Sequence, residues 1–342
     1  MHQDKTKSII YANLTDIFTE HNTQGSHVGT RLVNTIKSTQ RTLKPPFPKQ
    51  IQVETTNICN HGCSFCAYTL MERTKGQMKP ELFKRLVKEA YDNGAREIGL
   101  FAGAEPLTCK WLDEYVHYCK TIGYEYMYIS TNGSIPNQDR FKQIIDAGLN
   151  SIKFSVNGGN REIYKKVHGN DHFDRVISNI RFVSDYRKKV PHKVYIGVSF
   201  VGMEMSKNSY SELQELVRDY VDEIIYYEAS NQSGQMNHLP LPPYRDCHLP
   251  FNKLHISREG YLKACCNDYE NLLAIEDLNK MSMLEAWNGE KFQGLREKHL
   301  SNKMDGTLCA NCIRASKVKP KPINSKLIES KVPELLTKES QE

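Results

Sequence analysis

Three thiols stand close together in the stretch Glu54-Thr55-Thr56-Asn57-Ile58-Cys59-Asn60-His61-Gly62-Cys63-Ser64-Phe65-Cys66. Thiolates at C-x3-C-x2-C spacing on one loop can hold three corners of an iron–sulfur cube and leave the fourth iron open to a small chelating ligand. Zinc is the other metal such thiols take, but a structural zinc site wants four protein ligands and would have to recruit His61 or a distant residue. A second set follows at Cys247, Cys265, Cys309 and Cys312. Four thiolates gathered by a hairpin and a returning C-x2-C could make a structural zinc site or a fully ligated [4Fe–4S] cluster, and spacing alone allows either. Cys266 is a separate matter. Neighbouring side chains in a strand face opposite ways, so Cys265 and Cys266 are not expected to reach one cluster. Cys109 and Cys119 sit among apolar residues and read as packing thiols.

These residues need elements to position them. From residue 50 onward short β-rich runs (52–54, 97–101, 126–130, 151–155, 194–201 and 223–227) alternate with helical periodicity over 81–93, 111–123, 139–148, 173–186 and 210–220. Pro80 opens the first of these helices and Gly94 follows it. Six strands separated by helices imply parallel strands joined by right-handed crossovers. An open doubly wound sheet fits the same alternation as a barrel, and in both the functional residues belong in loops leaving the strands' carboxyl ends. After about residue 234 the pattern changes. Pro240, Pro242 and Pro243 mark a linker, a β-hairpin turns at Arg258-Glu259-Gly260, and Ser282-x-x-Glu285 is a capping box opening a helix or helix pair through Leu300. The division expected is an N-terminal extension over 1–47, a core over 48–235, a cysteine-bearing domain over 236–316, and a flexible tail over 317–342.

Composition closes several routes. The 46 Lys and Arg against 40 Asp and Glu leave +6 spread along the chain, too dispersed to argue for nucleic acid. A mean hydropathy of −0.58 with no long apolar run argues against a membrane span, and the first residues lack the apolar stretch of a signal peptide. The expected location is the cytosol, where ten cysteines point to metal or redox chemistry rather than disulfides.

Cys59, Cys63, Phe65 and Cys66 match C-x3-C-x-aromatic-C, and here the chain resembles the radical S-adenosylmethionine (radical SAM) superfamily. Gly103-Ala104-Glu105-Pro106, after the second strand, looks like that family's Gly-Gly-Glu motif contacting the SAM amino group, with Ala in the middle position. Thr131-Asn132-Gly133 follows the third strand, and Ser155-Val156-Asn157-Gly158 the fourth, where relatives place polar contacts to SAM. Relatives often carry Arg-Gly some ten residues later; the matching pair here is His168-Gly169. The resemblance implies a partial (β/α)6 TIM-like barrel with Gly103, Ala104, Glu105, Asn132, Ser155 and Asn157 around SAM and Phe65 beside the cluster. It implies the chemistry too: SAM chelates the open iron, one electron breaks a carbon–sulfur bond, and a 5′-deoxyadenosyl radical takes hydrogen from a substrate. The C-x12-Gly-x4-C spacing of the second set, with Met283–Asn288 after it and no cysteine beyond Cys312, resembles a SPASM auxiliary domain in its shortened twitch form. That form implies one auxiliary [4Fe–4S] cluster on Cys247, Cys265, Cys309 and Cys312.

A single auxiliary cluster is similar to what the butirosin-pathway aminocyclitol dehydrogenase group carries. This resemblance implies oxidation or epimerisation at a carbinol carbon of a polar, sugar-like small molecule, with flavodoxin or ferredoxin as the electron donor. Some radical SAM epimerases return a hydrogen from a free cysteine, a role Cys266 could fill. Asn208, Tyr226, Tyr227, Glu228, Asn231 and Gln232 near the strand ends suit a polar substrate. Two other functions fit: modification of a peptide, as in SPASM-domain maturases, and a non-catalytic metal scaffold that binds a partner.

Overall fold

The computed structural model describes residues 27–236, 238–241 and 247–328. The start of the expected extension (1–26), Pro242 and Pro243 of the linker, and the end of the tail (329–342) lie outside the described residues.

The parallel strands, dense in Ile, Val, Phe and Tyr, are largely buried, with alternate residues of Tyr126–Thr131 half-buried. They are β1 (Gln50–Val53), β2 (Glu97–Gly99), β3 (Tyr126–Thr131), β4 (Ser151–Ser155), β5 (Tyr195–Gly202) and β6 (Glu223–Glu228). All are parallel and pair in sequence order, with registers such as Gln52↔Gly99, Thr131↔Phe154 and Ser155↔Ser199. Helices Pro80–Asp92, Leu112–Ile122, Asp139–Asp146, Phe173–Tyr186 and Tyr210–Val217 occupy the expected crossovers. Because all six strands run the same way, the segments leaving Val53, Gly99, Thr131 and Ser155 emerge on one side of the sheet.

Three features depart from the sequence reading. A helix over Arg161–His168 precedes the expected 173–186 helix, opened by Asn160, whose side chain accepts from Ile163 N, and closed by Gly169 at φ +70°. The cysteine-bearing region does not form a separate sheet. Its first strand, β7 (Lys253–Ile256), pairs in parallel with β1; β8 (Tyr261–Lys263) and β9 (Ala274–Asp277) follow antiparallel, making one nine-stranded sheet in the order β6-β5-β4-β3-β2-β1-β7-β8-β9. The proline-containing stretch after Lys317 does not fray at once: Ile323 N bonds Leu272 O (2.9 Å), Asn324 Nδ2 bonds Ile275 O (3.0 Å), and Leu327 is buried.

The capping box forms as expected, Ser282 and Glu285 bonding each other's backbone at the start of Met283–Asn288, and helix Glu290–Leu300 follows. Arg296 in that helix is wholly buried between Trp287 and Phe292. Its guanidinium donates to the carbonyls of Pro250, Leu43 and Trp287, while Trp287 Nε1 donates to Pro45 O (3.0 Å). The segment before β1 is therefore fastened to the last helices of the chain. No carboxylate faces Arg296 among these contacts, and burial lowers its pKa to about 9. No helix among the described residues is long and apolar enough to cross a membrane.

Candidate active site and metal centres

Several hydrogen bonds hold the first thiol loop as it leaves β1. Glu54 N donates to Ile256 O (2.9 Å), and the Glu54 carboxylate accepts from Arg73 Nη2 (2.6 Å) and Arg258 N (3.0 Å). Arg73 also reaches Glu259 (3.0 Å) and Tyr269 O (2.6 Å), so one buried guanidinium joins the loop to the β7–β8 turn. Burial works against its charge, but Glu54 and Glu259 outweigh that and hold its pKa above the ordinary value. Asn57 closes the loop's base, donating to Thr74 O (3.0 Å) and accepting from Gly76 N (2.7 Å).

Cys59, Cys63 and Cys66 are half-buried at the crest of this loop. Burial pushes the Cys59 thiol up to about 12, and Cys63 and Cys66 also rise, chiefly through burial. For Cys59 and Cys63 the neighbouring charges that act are those of the other thiols and Glu105, and all of these raise the pKa further. Buried thiols that oppose one another's ionisation suit a polycationic centre, which deprotonates its thiol ligands and supplies the missing positive charge. The donor set therefore fits an iron–sulfur cluster.

The strand-end loops converge on the same place. Glu105 is buried, and its carboxylate accepts from Thr131 Oγ1 (2.6 Å), Asn132 N (2.7 Å) and Leu107 N (3.0 Å); burial nevertheless pushes it up to about 7. Three of its roughly four acceptor positions are thus taken by the protein itself. Gly103 lies at φ +57°, and a Cβ there would stand 2.9 Å from the Tyr269 ring, so the glycine is required on both counts. Ala104 packs against the small cluster of Ala67, Tyr68, Met236 and Tyr269. Asn132 donates to Asn60 Oδ1 (2.8 Å) on the thiol loop and accepts from Ser134 N (2.9 Å). Asn157 is fully buried: it donates to Ser155 Oγ (3.1 Å) and accepts from Val201 N (2.7 Å), so its amide ties β4 to β5. Phe65 lies edge-on to His168, with ring centroids 6.4 Å apart.

The second set of cysteines comes from three separate segments. Cys247 precedes the short helix Leu249–Asn252, Cys265 and Cys266 lie in the turn beyond β8, and Cys309 and Cys312 ride on Leu308–Arg314, capped by Thr307. Cys247 and Cys312 act electrostatically on both Cys265 and Cys309, and Cys312 on Cys247, so the three segments bring their thiols near one another. Burial pushes Cys247 up to about 12 and raises Cys309 as well. The β8 strand stops at Lys263, so the alternation expected to separate Cys265 from Cys266 does not extend to them. Their thiols share a hydrogen bond, which raises Cys265 and lowers Cys266, and His255 of β7 lies beside Cys266.

Several participants had no sequence signal of their own. Tyr269, three residues past Cys266, places its hydroxyl 3.4 Å from Cys66 Sγ and 3.4 Å from Gln232 Oε1. Tyr68 Oη accepts from Cys59 N (2.8 Å). Of the residues expected near a substrate, Gln232 and Asn231 lie in the segment after β6 that touches both regions: Asn231 reaches Asn311 O (3.4 Å) and Gln235 reaches Asn267 O (2.8 Å). Tyr226 instead packs in the core against Phe200 and Tyr210, and Asn208 is exposed at the surface.

Two family models match the chain: "Radical SAM superfamily" over residues 53–219 and "Iron-sulfur cluster-binding domain" (SPASM) over residues 247–313. A relative called "Uncharacterized protein MJ0804" from Methanocaldococcus jannaschii is 27% identical over 177 residues, covering 52% of this chain and only 56% of the relative's length. A "Probable GTP 3',8-cyclase" from Saccharolobus islandicus is 26% identical over 273 residues, 68% of this chain and 87% of the relative. In fold, the chain is similar to BtrN in complex with AdoMet and 2-DOIA (TM-score 0.55, 20% identity, 78% of this chain and 94% of that one). It is also similar to Streptococcus suis SuiB bound to precursor peptide SuiA (TM-score 0.61, 15% identity, 78% and 70%).

Proposed function

Starting from the premise that the chain belongs to the radical SAM superfamily and carries a SPASM domain, we propose that it takes hydrogen from a carbinol carbon of a polar, sugar-like or aminocyclitol-like substrate, in a dehydrogenation or epimerisation. In this reading residues 48–235 form the SAM-binding core and 236–316 the auxiliary domain. Cys59, Cys63 and Cys66 hold the [4Fe–4S] cluster that binds SAM; Cys247, Cys265, Cys309 and Cys312 hold a single auxiliary [4Fe–4S] cluster. The first cluster, once reduced, supplies the electron that cleaves SAM to methionine and the 5′-deoxyadenosyl radical. Glu105 keeps one acceptor position for the SAM ammonium, and Gly103 and Ala104 leave space for it. Ser155 and Asn132 offer polar contacts from the neighbouring loops, Asn157 holds Ser155 in place, and Phe65 packs beside the cluster.

The observation that carries the proposal is the polar bridge between the two thiol sites. Tyr269 and Gln232 meet beside Cys66, while Asn231 and Gln235 of the same segment contact the auxiliary region. A small polar substrate held there would lie near both centres. Loss of its carbinol hydrogen to the nucleoside radical, then of one electron and the hydroxyl proton, leaves a carbonyl; the auxiliary centre is the electron's acceptor. In an epimerisation the Cys266 thiol, in its protonated form, would return a hydrogen atom to the carbon instead, and the thiyl radical left behind would be reduced by one electron from the auxiliary centre and take up a proton from solvent. The reductant of the first cluster is a flavodoxin or ferredoxin in either case.

The test uses anaerobically reconstituted protein with SAM and dithionite, compared with a Cys59/Cys63/Cys66→Ala triple variant. The expected result is about eight irons in the wild type, about four in the variant, and 5′-deoxyadenosine from the wild type alone. Incubation with aminocyclitols and sugars deuterated at the carbinol carbon should then move deuterium into the nucleoside. Transfer from a deuterated peptide, or from GTP, in place of these would replace the sugar-like substrate with the corresponding one.

A further inference from the structure

His168 stands where relatives often place an arginine, and its ring reaches the first thiol loop rather than solvent. It is the last residue of helix Arg161–His168, 1% exposed, and stacked on Tyr164 with ring centroids 4.1 Å apart. The end of that helix is docked on the cysteine loop. Ser64 N donates to Val167 O (2.9 Å), Asn170 Nδ2 donates to Asn60 O (3.2 Å), and a Cβ on Gly169 would meet Gly62 O at 3.0 Å.

The tautomer of His168 follows from its partners. Asn157 N, a backbone donor, points at Nε2 (3.2 Å), so Nε2 must carry the lone pair and Nδ1 the proton. Nδ1 lies 3.4 Å from Cys63 Sγ and 3.3 Å from His61 Nδ1. A second backbone anchor settles His61. Ser134 N donates to Asn132 Oδ1 (2.9 Å), so that oxygen also accepts the Ser134 hydroxyl (2.8 Å). Ser134 Oγ is then left to accept from His61 Nε2 (2.9 Å), and His61 presents a lone pair at Nδ1. Both imidazoles are neutral, and every hydrogen bond along the chain has one donor and one acceptor. The same assignment argues against a metal ion shared by His61, Cys63 and His168, although their ligand atoms lie within 4.8 Å of one another. A metal on His168 Nδ1 would move the proton to Nε2, against the Asn157 N–H.

We infer that His168 is a positioning residue for the three-cysteine centre: its Nδ1–H donates to the Cys63 thiolate, with His61 Nδ1 as the alternative acceptor when the thiol is uncharged. This rests on the proposed assignment of Cys63 as a cluster ligand. A hydrogen bond to a cluster sulfur withdraws electron density and raises the reduction potential. A charged sulfur is the stronger acceptor, so loading the cluster draws the proton of Nδ1 from His61 toward Cys63.

The experiment uses reconstituted holoenzyme labelled with 15N-histidine and reduced. The EPR component that changes when SAM is added identifies the three-cysteine cluster. Pulsed EPR on that component should resolve a weak histidine-nitrogen coupling that His168→Phe removes. His168→Phe keeps a ring against Tyr164 but has no donor. At a fixed potential it should lower the reduced-to-oxidised ratio of this cluster about tenfold, or ~59 mV for a one-electron couple. His168→Asn, with an N–H at the position of Nδ1, should recover most of that shift. A SAM-sensitive cluster without histidine coupling in the wild type, or with the same potential in all three proteins, would overturn the inference alone. If the phenylalanine chain assembles too little cluster to titrate, the wild-type coupling and the asparagine potential decide. The absence of any SAM-sensitive cluster would overturn both the inference and the proposed function.

Discussion

The two thiol sites are built in opposite ways. The first takes Cys59, Cys63 and Cys66 from one continuous loop, which is then braced from outside by Glu105, Asn132 and Asn157 beyond three other strands and by His168 at the end of a helix. The second draws Cys247, Cys265, Cys309 and Cys312 from three segments and needs the hairpin, the short helix Leu249–Asn252 after Cys247 and the capped helix Leu308–Arg314 to bring them together. A three-thiol loop can leave an iron open, whereas four converging thiols close their centre. On the proposed assignment, the difference separates a place where a small molecule would bind metal from one that would only accept or pass an electron.

Substitution at the second site is the strongest way to break this comparison. Cys312→Ser should leave 5′-deoxyadenosine formation intact while final product falls by more than the ~10–100-fold that loss of an outer-shell partner costs. Nucleoside and product are measured in the same anaerobic assay, and equal loss of both would erase the distinction between the sites. A smaller effect tests how the two regions are joined. Arg73→Met leaves Glu54 and Glu259 buried without their cation, so unfolding in denaturant should show a loss of about 3–5 kcal/mol. A change under 1 kcal/mol would mean that the regions are held together elsewhere. The smallest effect is a pH dependence confined to the second region. Burial, then the charges of Arg41 and Arg314, lower His299 to about 4, and neither ring nitrogen has a hydrogen-bond partner among the described residues. Because its pKa is depressed in the folded state, its contribution to stability is present above pH 6.5 and lost as pH falls toward 4, on the order of 2 kcal/mol. His299→Leu should flatten that limb of the stability profile, and an unchanged profile would assign the acid sensitivity to other groups.

The same contrast explains what could be read without coordinates. The first loop was legible because its residues are neighbours in sequence and follow a strand directly. So was the Ser282–Glu285 box, a local motif whose hydrogen bonds span three residues. Helix Arg161–His168 escaped because its eight residues hold only three apolar side chains, Ile163, Tyr164 and Val167, too few for a clear periodicity. The flanking Asn160 and Gly169 were the available cap signals. The pairing of β7 with β1 had no local signature at all: nothing in Lys253–Ile256 says which strand it will join. The roles of Tyr269 and Arg73 likewise follow from that distant pairing. The alternation argument for separating Cys265 from Cys266 did not apply, because β8 ends at Lys263 and the backbone already turns there.

The position of β1 between β2 and β7 also sets an order of events in the life of the chain. Val53 ends the strand that launches the first thiol loop, yet the segment that covers its open edge begins at Lys253, two hundred positions later. On a ribosome adding about 5–20 residues per second, that gap lasts on the order of ten seconds or more. During this interval Cys59, Cys63 and Cys66 exist on a half-finished sheet, without Tyr269 against Cys66 and without Arg73 fastened to Glu259. The loop therefore stays open on that side until the last quarter of the chain is made, and the arrival of β7 then closes the sheet beside it.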